Sequence, residues 1–255
     1  MNKIIESKRE IAVYLLPNLL TTCSMFFGFF AIVRAIGGRF TTAAFAILLA
    51  SVFDALDGRV ARMTGGTSVF GEEYDSLSDA ISFGVAPAVL MFTWSLNTLG
   101  RFGWTACFFF LACGVLRLAR FNVQKSGLEK NYFQGLPIPV ASGALASSIL
   151  FFEEMNITLE KNYYILVLMF LLAALMVSNL RYKNFKNMEQ DRKKSFLTLV
   201  SAIVILVALV QNLKINLFIF LMIYIILGIL DNVLKRKKDK HVYDEIDTSE
   251  DTQNE

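Results

Sequence analysis

Four aspartates occupy two short stretches of the chain, at spacings that suit a shared metal or acid-base site. Asp54 and Asp57 are three residues apart and Asp75 and Asp79 are four apart, so each pair lies on one face of a helix. The connection over residues 63–70 contains two glycines, which allow the chain to turn. These spacings predict two antiparallel helices whose carboxylates face each other.

Carboxylates that converge at low dielectric repel one another and take up protons unless cations lie between them. Ligand sets made only of oxygen select hard cations, which here indicates Mg²⁺ or Mn²⁺. Four aspartates suffice for a pair of ions. Two such ions, about 4 Å apart, can clamp a transferring phosphoryl group.

Small residues accompany both aspartate pairs. Gly58 and Ala61 continue the helix face of the first pair, and Gly71 precedes the second pair on its own face. Because glycine has no side chain, Gly58 and Gly71 leave room for a diphosphate to reach the ions. Arg62 lies next to Ala61 and could add a charge-assisted hydrogen bond to a phosphate oxygen. Its alternative role is a cytoplasmic anchor for the helix.

The elements that must position these residues are too apolar for a soluble domain of this size. The chain has 255 residues, of which 55% are hydrophobic, and its mean hydropathy is +0.51. A helix of about 20 apolar residues crosses a membrane. We identify eight apolar blocks, Leu15–Ile36, Thr41–Phe53, Ala80–Leu96, Trp104–Leu118, Pro137–Phe152, Tyr163–Ser178, Phe196–Gln211 and Ile215–Leu234. The sequence predicts an all-α integral membrane protein with about eight transmembrane helices.

Basic residues predict the orientation of these helices, because Lys and Arg accumulate in cytoplasmic segments. With both termini in the cytoplasm, 20 of the 25 basic residues lie inside and 5 outside. This orientation places the aspartates at the cytoplasmic face of a multi-pass protein of the inner membrane. Residues 1–14 form either an amphipathic helix on the membrane surface or a disordered lead-in, and residues 236–255 form a charged cytoplasmic tail.

Histidine, cysteine and net charge exclude several classes of function. The one histidine, His241, lies in the polar tail, so Ser-His-Asp and Cys-His mechanisms are excluded. Cys23, Cys107 and Cys113 have the spacing of neither a disulfide framework nor a zinc site. A net charge of +3 is too small to indicate nucleic acid, and the lipid bilayer is the simpler partner of the basic runs.

The stretch from Asp54 to Asp79 reads D-x-x-D-G-x-x-A-R-x₈-G-x₃-D-x₃-D and resembles the signature of the CDP-alcohol phosphotransferase family. In that family the first three aspartates bind metal ions, and the last both reaches a metal and is proposed as the general base. The resemblance implies that Asp54, Asp57 and Asp75 are metal ligands and that Asp79 is a ligand and the catalytic base. It also implies CMP as the leaving group and a homodimer.

Further segments resemble the phosphatidylserine synthase branch of the family. They are residues 17–21, 116–122 and 135–141. The resemblance implies that CDP-diacylglycerol donates a phosphatidyl group to L-serine. The six-helix family core would then occupy residues 15–190, and residues 191–235 would add two transmembrane helices.

A serine acceptor carries a carboxylate, so its pocket should contain a cation. Arg117 or Arg120 could supply a planar fork for that carboxylate, and Asn122 an amide hydrogen bond. Anchoring the span is the alternative role of the two arginines. Asn18 and Thr21 share one helix face, which suits contact with the nucleotide or, equally, hydrogen bonds between helices.

Two alternatives accompany this interpretation. The aspartate motif does not choose the acceptor, which could be glycerol phosphate, inositol phosphate or choline. A cation transporter is the alternative from a different class, since buried aspartates and many spans would serve it too. No second half of the sequence repeats the aspartate pattern, which disfavours a transporter.

Overall fold

The computed structural model of the protein describes residues 2–66, 68–124, 132–157, 161–183 and 212–251. The predicted apolar block Phe196–Gln211 lies outside these residues.

The described chain is helical apart from one short pair of strands. In chain order its elements are α1 (Asn2–Ile36), α2 (Phe40–Thr64), α3 (Val69–Asp79), a π-helix (Ala80–Val85), α4 (Ala86–Trp94), a 3₁₀-helix (Leu96–Leu99), α5 (Arg101–Gln124), β1 (Tyr132–Gln134), α6 (Ile138–Glu154), α7 (Lys161–Val177), β2 (Arg181–Lys183) and α8 (Leu213–Asp251). The strands pair antiparallel, with Phe133 opposite Tyr182, and are a small departure from the predicted all-α class.

Five helices in the described part of the chain are long and apolar enough to cross a membrane. They are Leu15–Ile36, Phe40–Thr64, Val69–Trp94, Arg101–Val123 and Leu213–Asn232. Tyr163–Val177 is apolar but shorter, and α6 has 17 residues. A helical, multi-pass membrane protein is therefore confirmed, whereas the number of eight spans is not. The predicted N-terminal segment and charged tail are helical continuations of the first and last spans where the structure describes them.

Helices α2 and α3 extend beyond the predicted apolar blocks and into the polar connection between them. Helix α2 continues to Thr64 and ends at Gly65, whose φ of 71° is accessible to glycine without strain. Helix α3 already begins at Val69, where the Ser68 side chain accepts a hydrogen bond of 3.0 Å from the backbone N–H of Gly71. Both aspartate pairs therefore lie on regular helices on either side of a short connection.

Helix α1 packs against both aspartate-bearing segments through buried hydroxyl groups. Ser24 donates a hydrogen bond of 3.1 Å to the carbonyl of Ala50 in α2. Ser82 of the π-helix donates one of 3.1 Å to the carbonyl of Ser24. A Cβ atom at Gly28 would lie 2.6 Å from the Cα atom of Ser82, so only glycine permits this approach. In a membrane interior no water can satisfy such groups, and these bonds stabilise the three-segment contact.

The remaining helices complete the core and leave an apolar outer surface. Phe83, Phe110 and Leu145 are fully buried between the π-helix, α5 and α6. Large apolar side chains such as Phe29 and Phe108 are exposed on the outside. Exposed rings of this kind suit a protein surrounded by lipid rather than water.

Candidate active site

A cavity of about 520 Å³ lies between the middle of α1, the C-terminal half of α2 and the start of α3. Nine of the thirteen predicted site residues line it, namely Asn18, Thr21, Asp54, Asp57, Gly58, Ala61, Arg62, Gly71 and Asp75. Residues that were predicted from separate parts of the sequence, on α1 and on the two aspartate-bearing helices, thus surround one space.

Three carboxylates converge in this cavity. Asp54, Asp57 and Asp75 each offer an oxygen atom, and these oxygens all lie within 4.8 Å of one another. Ligands on opposite sides of a Mg²⁺ ion are about 4.2 Å apart, because each bond is about 2.1 Å long. A small movement of the side chains would therefore close the three oxygens around one ion. Asp57 is only 4% exposed, and a buried carboxylate of this kind requires a compensating charge.

Asp79 adjoins the cluster from the protein interior and does not line the cavity. Its carboxyl group is close enough to that of Asp54 for a side-chain hydrogen bond. The guanidinium of Arg117 interacts electrostatically with both carboxyl groups. The fourth aspartate is thus in contact with the cluster, on the side that faces α5.

Glycine keeps two walls of the cavity open. A Cβ atom at Gly71 would lie 3.1 Å from Ser68 Oγ and 3.2 Å from Asn18 Oδ1, which would crowd the contact between α1 and α3. A Cβ atom at Gly58 would lie 3.4 Å from a terminal nitrogen of Arg62. The Arg62 side chain therefore lies over Gly58 at the edge of the cavity, where a phosphate group could reach it.

Thr21 lines the cavity, but its hydroxyl group is engaged with a carboxylate. The hydroxyl donates a hydrogen bond of 2.7 Å to Asp57 Oδ2. Of the two roles predicted for Thr21, this bond from α1 to α2 corresponds to contact between helices, and contact with a nucleotide stays a prediction. Asn18 has no such bond to an aspartate among the described contacts.

Arg117 is the predicted acceptor-binding residue that faces the aspartates. It is 7% exposed, and its Nε atom has no hydrogen-bond partner among the described residues. Its guanidinium lies 5.7 Å from the centre of the Phe121 ring, which lines the cavity. A buried guanidinium with unused donor capacity beside carboxylates is suited to bind a further anion.

Arg120 and Asn122 point elsewhere. Arg120 donates a hydrogen bond of 3.1 Å to the carbonyl of Val177 at the end of α7. The side-chain amide of Asn122 donates one of 3.0 Å to Ser76 Oγ on α3. The three predicted acceptor residues are therefore not brought together at one surface. The two that lie apart connect α5 to its neighbours.

Sequence reasoning missed several residues that line the cavity, among them Ser68, Glu72 and Phe121. Ser68 carried a signal, because serine before a helical pattern indicates an N-cap. Glu72 lies three residues before Asp75 on the same helix. Phe121 lies inside one of the segments that resembled the family.

Comparison with known proteins identifies the class. A family model described as CDP-alcohol phosphatidyltransferase matches residues 14–178, and the chain belongs to this family. The family is generally dependent on divalent metal ions, and the aspartate cluster provides a suitable set of ligands.

Several relatives are similar over much of their length. The chain is 38% identical to the CDP-diacylglycerol–serine O-phosphatidyltransferase of Helicobacter pylori strain 26695 over 220 residues, covering 86% of this chain and 91% of the relative. It is 36% identical to the archaetidylserine synthase of Methanothermobacter thermautotrophicus over 189 residues, covering 72% and 76%. It is 42% identical to the CDP-diacylglycerol–serine O-phosphatidyltransferase of Saccharomyces cerevisiae over 140 residues, covering 49% of each chain.

We expect Mn²⁺ to stabilise the wild-type protein through the aspartate cluster, by about 2.7 kcal/mol at a hundredfold excess over its dissociation constant. The Asp75→Asn variant should lose most of this stabilisation, because it removes one charged ligand with little change in volume. The measurement is the Mn²⁺-dependent rise in Tm of the purified protein in detergent.

The matched control is Glu73→Gln, which neutralises an exposed carboxylate two residues away that does not line the cavity. It should keep the full rise in Tm. An equal rise in Asp75→Asn and the wild type would contradict the assignment of Asp75.

Proposed function

We propose that the protein transfers the phosphatidyl group of CDP-diacylglycerol to the hydroxyl of L-serine, producing phosphatidylserine and CMP. The observation that carries this proposal is the convergence of three aspartate oxygens within 4.8 Å in a cavity at the end of the membrane spans. The choice of serine is supported by the names of the relatives, since the bacterial, archaeal and yeast proteins are each named for a serine product or acceptor.

Asp54, Asp57 and Asp75 would hold the metal, with Asp79 as a further ligand. Mg²⁺ and Mn²⁺ are the ions that fit an all-oxygen set, and four carboxylates suit two of them. When bound, the ions would offset the negative charge that gathers on the diphosphate during transfer.

The protein's own side chains would bind and orient the donor. Arg62 lies over Gly58 at the cavity edge and would donate a charge-assisted hydrogen bond to a phosphate oxygen. Ala61 and Gly71 line the same cavity and leave space for the nucleotide, and Asn18 would contact it from α1. Such positioning supplies much of the catalysis in phosphoryl transfer, which requires little covalent chemistry from the protein.

Asp79 would act as the general base. Its carboxylate would accept the proton of the serine hydroxyl as that oxygen forms a bond to the phosphorus of the phosphatidyl group. The bond between this phosphorus and the oxygen of CMP breaks, and CMP leaves with the bonding electrons. Direct attack is favoured because the one histidine of the chain lies far along the sequence, in the tail.

Arg117 would bind the serine carboxylate beside this base. Its burial, its unused Nε and its position next to Asp54 and Asp79 support this role. Arg120 and Asn122 would contribute by holding α5 against α7 and α3. Of the three residues predicted to bind the acceptor, we therefore retain only Arg117 in that role.

The membrane arrangement is part of the proposal. Both termini and the cavity would face the cytoplasm, and CDP-diacylglycerol would enter from the inner leaflet with its acyl chains still in lipid. We further propose that residues 15–190 form the catalytic core, that residues 191–235 add two helices, and that the protein is an inner-membrane homodimer.

The decisive experiment is CMP release from CDP-diacylglycerol by purified protein with Mn²⁺ or Mg²⁺. We expect release with serine and little with glycerol phosphate, inositol phosphate or choline. The Asp79→Asn variant should lose serine-dependent release by a factor of at least ~100, because the base is gone while the volume is kept. Its Tm should stay near that of the wild type.

CMP release with another alcohol but not with serine would overturn the assignment of serine as the acceptor. No release with any alcohol would favour a transporter. Full turnover by Asp79→Asn would overturn the assignment of the base.

A pair of matched substitutions tests the acceptor site. Arg117→Lys should raise the KM for serine by about tenfold or more, because Lys cannot form the bidentate bond to a carboxylate. Arg120→Lys, three residues away, should leave the KM for serine near the wild-type value, because Arg120 bonds to the Val177 carbonyl of α7 rather than to the acceptor. It should lower Tm instead, because it weakens this contact between α5 and α7. The proposal fails if Arg120→Lys raises this KM and Arg117→Lys does not.

A further inference from the structure

Helix α1 carries none of the four aspartates, yet it makes a direct contact with their cluster. The Thr21 hydroxyl donates to Asp57 Oδ2 over 2.7 Å. Thr21 is 3% exposed and Asp57 is 4% exposed, so water competes little for either group. A hydrogen bond to a charged acceptor is stronger than one between neutral groups, especially away from water.

Thr21 is itself held in place by the helix on the opposite side. Ser78, 1% exposed, donates a hydrogen bond of 3.1 Å from its hydroxyl to the backbone carbonyl of Thr21. Ser78 lies on α3 between Asp75 and Asp79. One residue of α1 thus receives a bond from the helix of the second aspartate pair and donates one to the first pair.

The hydroxyl proton of Thr21 has two acceptors within reach. Besides Asp57, the carbonyl of Pro17 lies 3.1 Å away, as is common for threonine in a helix. The carboxylate is closer, at 2.7 Å, and is the stronger acceptor when ionised. The Thr21 hydroxyl therefore donates its hydrogen bond to Asp57 in preference to the Pro17 carbonyl.

We infer that Thr21 is a positioning residue of the metal centre, which orients the Asp57 carboxylate towards Asp54 and Asp75, and that it is not a nucleotide contact. A carboxylate has about four lone-pair sites, so one bond from Thr21 restrains its rotation and leaves oxygen sites for an ion. This inference rests on the proposed function, in which Asp57 binds metal. Groups that restrain metal ligands typically change metal affinity by about 10–100-fold.

The test is Mn²⁺ binding to the full-length protein in detergent without lipid substrate, followed by electron paramagnetic resonance of free Mn²⁺. Thr21→Val keeps the shape and removes the donor, and we expect its dissociation constant for Mn²⁺ to rise by about 10–100-fold. Thr21→Ser keeps the donor and should restore most of the affinity. At saturating Mn²⁺, the KM for CDP-diacylglycerol should be the same in Thr21→Val and the wild type.

The matched control is Thr22→Val, the same substitution one residue along α1. The Thr22 hydroxyl bonds to the Asn18 carbonyl and lies 2.9 Å from the Tyr74 hydroxyl, with no described contact to Asp57. Mn²⁺ affinity should be unchanged in this variant.

Wild-type Mn²⁺ affinity in Thr21→Val, or a raised KM for CDP-diacylglycerol at saturating Mn²⁺, would overturn the inference and leave the proposed function standing. Wild-type Mn²⁺ affinity in Asp57→Asn would instead remove the metal centre on which the function rests. If Thr21→Val does not fold, Thr21→Ala should show the same loss of Mn²⁺ affinity. Unchanged Mn²⁺ affinity in Thr21→Ala would then overturn the inference.

Discussion

The structure depends on the gathering of carboxylates at the end of two antiparallel membrane helices. Charged groups at such positions are costly, because burial removes their hydration and like charges repel. Divalent cations, on which the family generally depends, would supply the positive charge that offsets this repulsion. The same electrostatic demand explains the buried Arg117 on the interior side and the cavity on the other side. The packing of these helices therefore determines the ionic site, because it holds the carboxylates close together.

Helix α1 stabilises this packing through hydrogen bonds to both aspartate-bearing segments. Its backbone carbonyls accept hydrogen bonds from Ser78 and Ser82, and its own Ser24 donates to α2. Burial of apolar side chains contributes little to the association of membrane helices, because lipid already solvates those side chains. Close packing and interhelical hydrogen bonds therefore contribute more of the stability. Gly28 permits that approach at the π-helix. Segments of π-helix are often found at functional sites, and this one begins at the residue after Asp79.

Separate parts of the sequence differed in how well they predicted the site. The spacing of Asp54, Asp57 and Asp75 was sufficient to predict their convergence, because helical periodicity and one short connection leave few other arrangements. Arg117, Arg120 and Asn122 looked equivalent, since all three lie within one turn and a half of a helix. Their partners lie on α7 and α3, far away in sequence, and no local pattern encodes those contacts.

Hydropathy indicated the membrane class, and the carboxylate motif indicated the family through its resemblance, because both are features of local sequence that need no knowledge of neighbours in space. The tertiary structure determines which polar groups meet. It connected Thr21 to Asp57, directed Arg117 towards Asp79 and turned Arg120 away. The physical reason is that a hydrogen bond between helices depends on their relative rotation and depth, and these are set by packing over the whole bundle.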